Sequence, residues 1–188
     1  MIPGRRHSTG CRAGAALAPR RAPVVALLLA LSTGLALSAC QRHSEDDART
    51  LLAGWVDLGE MLYFESQRSC TAAVFRLKSA DVKSRVPLFD SARAVVLNGK
   101  QDGPFALSEK GRTADQMFID LMNADRPTGV AIQSASVEAR PCMNDKARNS
   151  FFAALNAEAS VVIFSRADAA YAVLDPLRGI AILTSGGE

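Results

Sequence analysis

The chain has 188 residues, 48% of them hydrophobic, with 22 basic and 19 acidic side chains and a formal net charge of +3. That composition excludes an intrinsically disordered chain and suits one domain of ordinary size. Five arginines and no acid fall in residues 1–40, so the remainder carries 17 basic against 19 acidic residues, a net charge of −2; with no basic face to offer, it is not expected to bind nucleic acid.

Residues 1–22 are arginine-rich and free of acids, with Cys11 among them. Pro23 to Ala39 is an uncharged apolar run of 17 residues. That is at the lower edge for spanning a hydrocarbon core of about 30 Å, and it suits the apolar region of an export leader. The run ends in Leu37-Ser38-Ala39-Cys40. This tetrapeptide resembles the lipobox of bacterial lipoproteins: an aliphatic residue, two small residues and a cysteine. The resemblance covers residues 1–41 only. It implies a diacylglyceryl group on the Cys40 thiol and cleavage before Cys40, which leaves residues 1–39 as a removed signal peptide. It implies no fold and no activity. Gln41 stands where many Gram-negative lipoproteins carry the Asp that favours inner-membrane retention, so the resemblance points to the periplasmic face of the outer membrane. An uncleaved membrane anchor, ordinary cleavage without lipid, and twin-arginine export through Arg5-Arg6 or Arg20-Arg21, neither of which has the expected following residues, are the alternatives for this leader.

Residues 40–47 read as the lipidated cysteine and a polar tether, and 48–188 as one globular domain. Ser44 is placed to cap a helix whose first turn holds Glu45, Asp46 and Asp47. Leu51, Trp55, Leu58 and Leu62 continue at helical spacing, with Trp55 expected in the core. Met61–Glu65 and Cys70–Leu77 read as an antiparallel hairpin, with helix the alternative for 70–78. The segment Leu58–Phe64 faintly resembles part of the di-haem cytochrome c peroxidases, but haem attachment requires C-x-x-C-H, which this chain lacks.

Leu88, Ala92, Val95 and Val96 form a helical stripe ending at Asn98-Gly99. Gln101–Pro104 reads as a turn. Thr113 is expected to cap a helix from Ala114 to Asn123, which Asp125-Arg126-Pro127-Thr128-Gly129 then breaks. Val130 to Ala139 fits helix or strand. Arg140–Asp145 reads as a turn with Asn144 capping a helix that runs to Asn156 and turns Phe151, Phe152 and Leu155 inward. The last segment alternates β-branched runs with turns. Strands are expected at Ala159–Phe164, Ala170–Leu174 and Gly179–Thr184, the last two joined through Asp175-Pro176-Leu177-Arg178. The expected fold class is therefore α+β: several short helices packed on a small antiparallel sheet with a C-terminal β-meander.

The usual catalytic constellations are missing from this pattern. His43 is the sole histidine after the leader and lies three residues from Cys40, which is a poor place for a catalytic base. No S-x-x-K, P-loop or dinucleotide fingerprint occurs, and no spacing suits zinc, so no cofactor or metal is expected. Cys70 and Cys142 are the two thiols left after Cys40, and in an oxidising compartment they are expected to form a disulfide. Arg126 and Arg140, close in sequence to Asp125 and Asp145, could clamp a carboxylate or phosphate. Glu60, Glu65 and Glu138 are the carboxylates considered for a hydrolytic pair. The expectation is a non-enzymatic binding or accessory lipoprotein whose partners are the membrane and another envelope protein. A small envelope hydrolase or peptidoglycan-modifying enzyme using a carboxylate and Arg126 or Arg140 is the alternative.

Overall fold

The computed structural model describes residues 42–99 and 103–186. The leader, the lipid-site candidate Cys40, and Gln101 and Asp102 of the expected turn lie outside the described residues. The chain builds α1 (Glu45–Ala53), β1 (Asp57–Ser66), β2 (Cys70–Ser79), β3 (Leu88–Phe89), α2 (Ala92–Asn98) and β4 (Phe105–Leu107). It continues with α3 (Ala114–Ala124), α4 (Arg126–Val137), a 3₁₀ turn (Arg140–Cys142) and α5 (Asp145–Leu155). It closes on β5 (Val161–Ser165), β6 (Ala170–Asp175) and β7 (Ile180–Gly186). The α+β class is as expected.

The strands form one seven-stranded sheet in the order β1-β2-β7-β6-β5-β4-β3. Every pairing is antiparallel except β3 with β4. The β5-β6-β7 meander forms as expected, yet it is the centre of the sheet rather than an appendix, because β7 also pairs with β2. All six residues of β6 are buried. A strand covered on both faces reads as a continuous apolar run rather than an alternating one, and Ala170–Leu174 is such a run.

The two faces differ in side-chain size. Towards α3, α4 and α5 the sheet presents Val74, Phe164, Tyr171, Val173 and Ile182, which pack on Met117, Leu121, Ile132 and Phe151. Towards α1 it mixes alanines, among them Ala73, Ala106, Ala172 and Ala181, with Phe75, Ile163, Leu174 and Leu183, against Leu52, Trp55, Val56 and Val86. The alanines let the single short helix α1 lie close to the sheet. The larger residues of the other face fill the space under three helices.

The caps formed where local chemistry placed them. Ser44 and Thr113 each close a capping box, and the Asn144 side chain accepts the Ala147 N–H at 2.8 Å. Four expectations need correction. Leu58 and Leu62 lie on β1, not on a longer α1, because the helix ends at Gly54 and Asp57–Ser66 pairs with β2 instead. Leu88 is on β3, and Ser91 caps a shorter helix. Asp125 alone separates α3 from α4: Pro127 sits in the first turn of α4, where a missing N–H costs nothing, so Arg126–Gly129 starts a helix rather than breaking one. Phe152 is 41% exposed while Phe151 is buried, because they point to different sides of α5.

Residues 70–78 are strand and 130–137 helix, which resolves both ambiguities. Of the residues read as a tether, Arg42 and His43 are hydrogen-bonded to the β1–β2 hairpin: the Arg42 N–H donates to the Gln67 carbonyl at 3.0 Å, and the His43 N–H to Ser66 Oγ at 3.1 Å. Among the described residues no helix is long and apolar enough to cross a membrane.

Candidate functional site

Helix α4 lies across one end of the sheet and decides where the candidate residues fall. At its far end, Cys142 is bonded to Cys70 of β2, with Cα atoms 6.0 Å apart and both residues fully buried. Tyr63 of β1 holds the same turn: its hydroxyl donates to the Cys142 carbonyl at 2.9 Å and accepts the Asn144 N–H at 3.1 Å. At its near end, Gly129 lets α4 approach α3, since a Cβ there would lie 2.6 Å from the Met122 Cα.

The two arginines expected to form a clamp are not brought together. Arg126 is the first residue of α4 and Arg140 follows its last turn. At a rise of about 1.5 Å per residue, the helix keeps them about 20 Å apart. Of the carboxylates considered for hydrolysis, Glu60 pairs with Arg76 at 2.7 Å on the exposed edge strand. Glu65 and Glu138 are exposed and line none of the three cavities described next.

Arg140 does border a cleft of about 160 Å³ between α3, α4 and α5. Its floor is Tyr171, its walls include Phe118, Phe151 and Phe152, and Asp115 stands on the rim. The Arg140 guanidinium lies 5.7 Å from the centre of the Phe152 ring, within cation–π range. Burial, and secondarily the charge of Asp115, pushes the Tyr171 phenol well above its ordinary value of 10.0, so it stays neutral. A small-molecule site is typically about 300–1,000 Å³, so this cleft holds a few atoms or one side chain.

A larger opening lies on the other side of α4. Arg166, in the turn between β5 and β6, donates from Nη2 to Thr128 Oγ1 at 2.8 Å, and Thr128 in turn donates to the Asp125 carboxylate. The chain Arg166–Thr128–Asp125 fixes the guanidinium plane between two spaces. One is a recess of about 180 Å³ bounded by Val95, Leu121 and Phe164. The other is an open groove of about 480 Å³. Pro127, Val130, Ala131 and Ser134 of α4 form one wall of the groove, and Ala169 and Arg42 belong to its opposite rim. Gly186 completes the lining; a Cβ there would lie 2.7 Å from the Ser134 carbonyl oxygen.

The presenting turn is braced. Ser165 Oγ donates to Asp168, the Ala169 N–H bonds the Arg166 carbonyl, and Ala169 has φ +45°, a left-handed conformation uncommon for alanine. Arg42 Nε donates to Ser185 Oγ at 2.7 Å, and that hydroxyl donates to the Ala169 carbonyl at 2.9 Å.

His43 lies beside this groove. Its Nδ1 is 3.2 Å from Thr71 Oγ1, which is 2.8 Å from Ser66 Oγ. Burial, then the neighbouring Arg42 charge, lowers the imidazole below its ordinary 6.5, against smaller opposing effects of Asp47 and Asp168. Thr71 is fully buried and Ser66 7% exposed, so this chain fastens the N-terminal segment to the hairpin and presents no hydroxyl to a substrate. Among the described residues no group of three or more His, Cys, Asp or Glu side chains could hold a metal ion.

Sequence reasoning missed Arg166 and Arg42. The one available signal was a basic residue in the short polar turn Ser165–Ala169 between two apolar strands. No protein-family model, no curated protein and no solved structure matches the chain.

Proposed function

We propose that the chain is a lipid-anchored envelope protein, held on the periplasmic side of a membrane by acyl chains on Cys40, and that it acts by binding another envelope component. The observation that carries this reading is the buried Cys70–Cys142 disulfide. Disulfides of this kind persist in exported proteins and are rare where thiols are kept reduced, so the bridge supports export from evidence separate from the leader. Two or three acyl chains, at about 0.8 kcal/mol per buried CH₂, make a durable anchor where one does not. Gln41 favours the outer membrane as the address. In cells fed radiolabelled palmitate, the Cys40→Ala chain is expected to accumulate as an unlabelled precursor. Label at the wild-type level in that variant overturns the anchor.

A second reading, a small envelope hydrolase or peptidoglycan-modifying enzyme, draws on Asp115 and Arg140 bordering one cleft with the Tyr171 phenol. It needs an acid and an arginine converging on substrate. Arg126 contributes nothing to it, being at the other end of α4. Turnover of cell-wall fragments that Asp115→Asn abolishes would favour it over the binding reading.

A further inference from the structure

The groove beside α4 carries a more specific assignment, which rests on the lipid-anchored reading above. We infer that it binds the phosphate headgroup of an anionic phospholipid in the leaflet that the Cys40 acyl chains enter.

Among the described residues, Arg166 is one of the arginines that meet no carboxylate; Arg49 and Arg85 are others, but they donate to the backbone carbonyls of Gly59 and Gly54 rather than facing a groove. Arg76, Arg112, Arg148 and Arg178 each meet a carboxylate. Arg166 is half-buried, has no carboxylate within ion-pair distance among the described residues, and gives one N–H to the neutral Thr128 hydroxyl. A guanidinium has five N–H donors in a fixed fork that matches two oxygens of a phosphate. The nearby Asp125 and Asp168 accept the Thr128 and Ser165 hydroxyls, and neither lies within ion-pair distance of Arg166. Arg42 adds a second guanidinium to the groove lining.

The opposite wall is apolar. Pro127, Val130 and Ala131 line it, and Val130 is 48% exposed. A cavity of about 480 Å³ with guanidinium on one side and hydrocarbon on the other suits an anionic head joined to an apolar body. A free inorganic anion would use only the first half of it.

Position favours the lipid. Arg42 follows Cys40 by two residues, and an extended chain covers at most about 3.6 Å per residue. Acyl chains on Cys40 would therefore hold the groove within about 10 Å of the headgroups, where tethering raises the effective concentration of an anionic lipid. Arg68, exposed in the β1–β2 turn next to the Gln67 carbonyl that receives Arg42, adds positive charge at the same end.

The test uses the purified full chain in nonionic detergent, with phosphatidylglycerol or phosphatidylcholine added to the micelle and inorganic phosphate as the soluble probe. Binding is followed by titration calorimetry. Saturable binding of phosphatidylglycerol is expected, at least tenfold tighter than that of phosphatidylcholine or inorganic phosphate. Arg166→Ala is expected to weaken it tenfold or more, and Arg93→Ala, which removes the same charge from exposed α2, to leave it unchanged. Val130→Asp keeps the Arg166–Thr128 bond, puts an acid on the apolar wall and is expected to weaken binding comparably. Equal binding of the two lipids, or wild-type affinity in both Arg166→Ala and Val130→Asp, overturns the assignment. Inorganic phosphate binding as tightly as phosphatidylglycerol overturns the lipid and leaves a free-anion site. Palmitate labelling separates the two readings: a labelled chain that ignores phosphatidylglycerol loses only the groove, and an unlabelled chain that binds it loses only the anchor.

Discussion

The two sides of α4 hold arginines in opposite situations. Arg140 rests its cation on the Phe152 ring beside a cleft of about 160 Å³ walled by aromatic side chains. Arg166 faces about 480 Å³ of open groove and spends one donor on a neutral hydroxyl. The difference shows that a binding arginine is recognised by what its remaining donors face. Both residues lie in short connections between elements, and the packing of α4 against the sheet separates a guanidinium stacked on a ring from one that faces a groove.

The largest expected effect falls on the Arg140 side. Phe151 is 3% exposed and stacks edge-on against Tyr171, with ring centres 6.5 Å apart. Phe151→Ala is expected to cost about 3–5 kcal/mol in denaturant unfolding while phosphatidylglycerol binding by the fraction that remains folded stays within twofold. A parallel loss of binding would mean that the two cavities are one unit.

Next is the disulfide, which bonds the turn following α4 to β2. The Cys70→Ala, Cys142→Ala double variant is expected to lose about 2–5 kcal/mol. Alkylation of the wild-type protein without reductant should label neither thiol; two reactive thiols would remove the bridge. Smaller, and confined to the groove, is Gly186→Ala. Its Cβ would press on the Ser134 and Ala139 backbone, so about 1–3 kcal/mol of overpacking is expected with the Arg140 cleft left intact.

The smallest effect is in pH. The His43 imidazole is lowered in the folded state, so below pH 6.5 the unfolded chain binds more protons than the folded one. Stability is therefore full above pH 6.5 and falls as pH drops from there to the folded value. Asp47, held below its ordinary 3.8 by hydrogen bonds from Ser44, acts only in a more acidic window. His43→Gln should remove the decline that sets in below pH 6.5, read by denaturant unfolding at a series of pH values. An unchanged slope would show that the His43 imidazole is not buried against Thr71 as the geometry implies.

Much of the fold was legible because it depends on neighbours in sequence. Ser44, Thr113 and Asn144 cap helices through contacts three residues away. The C-terminal strands declare themselves through β-branched runs, while Cys70–Leu77 fits strand or helix until its pairing with β1 and β7 is seen. What misled was local pattern without context. Leu58 and Leu62 keep helical spacing from Leu51, yet β2 was available to pair with them. Phe152 matches its neighbour Phe151 in type but lies on the wrong side of α5. Pro127 looks like a helix breaker unless one knows that Asp125 has already ended α3.

By itself, then, the sequence determined the α+β class, the caps at Ser44, Thr113 and Asn144, the C-terminal strands and, given export, the two cysteines to be joined, because these follow from short-range hydrogen bonding, periodicity and the count of thiols. Only the tertiary structure decided that Arg126 and Arg140 never meet, that Arg42 and Arg166 share one groove, and that Arg42 and His43 bond to the β1–β2 hairpin. Arg42 and Arg166 are 124 residues apart in the chain. They share the groove through the sheet order β1-β2-β7-β6-β5, which sets the β1–β2 turn, the end of β7 and the β5–β6 turn along one end of the sheet. Strand order over such distances is settled by how both faces of the sheet are buried together, and no local window of residues encodes it.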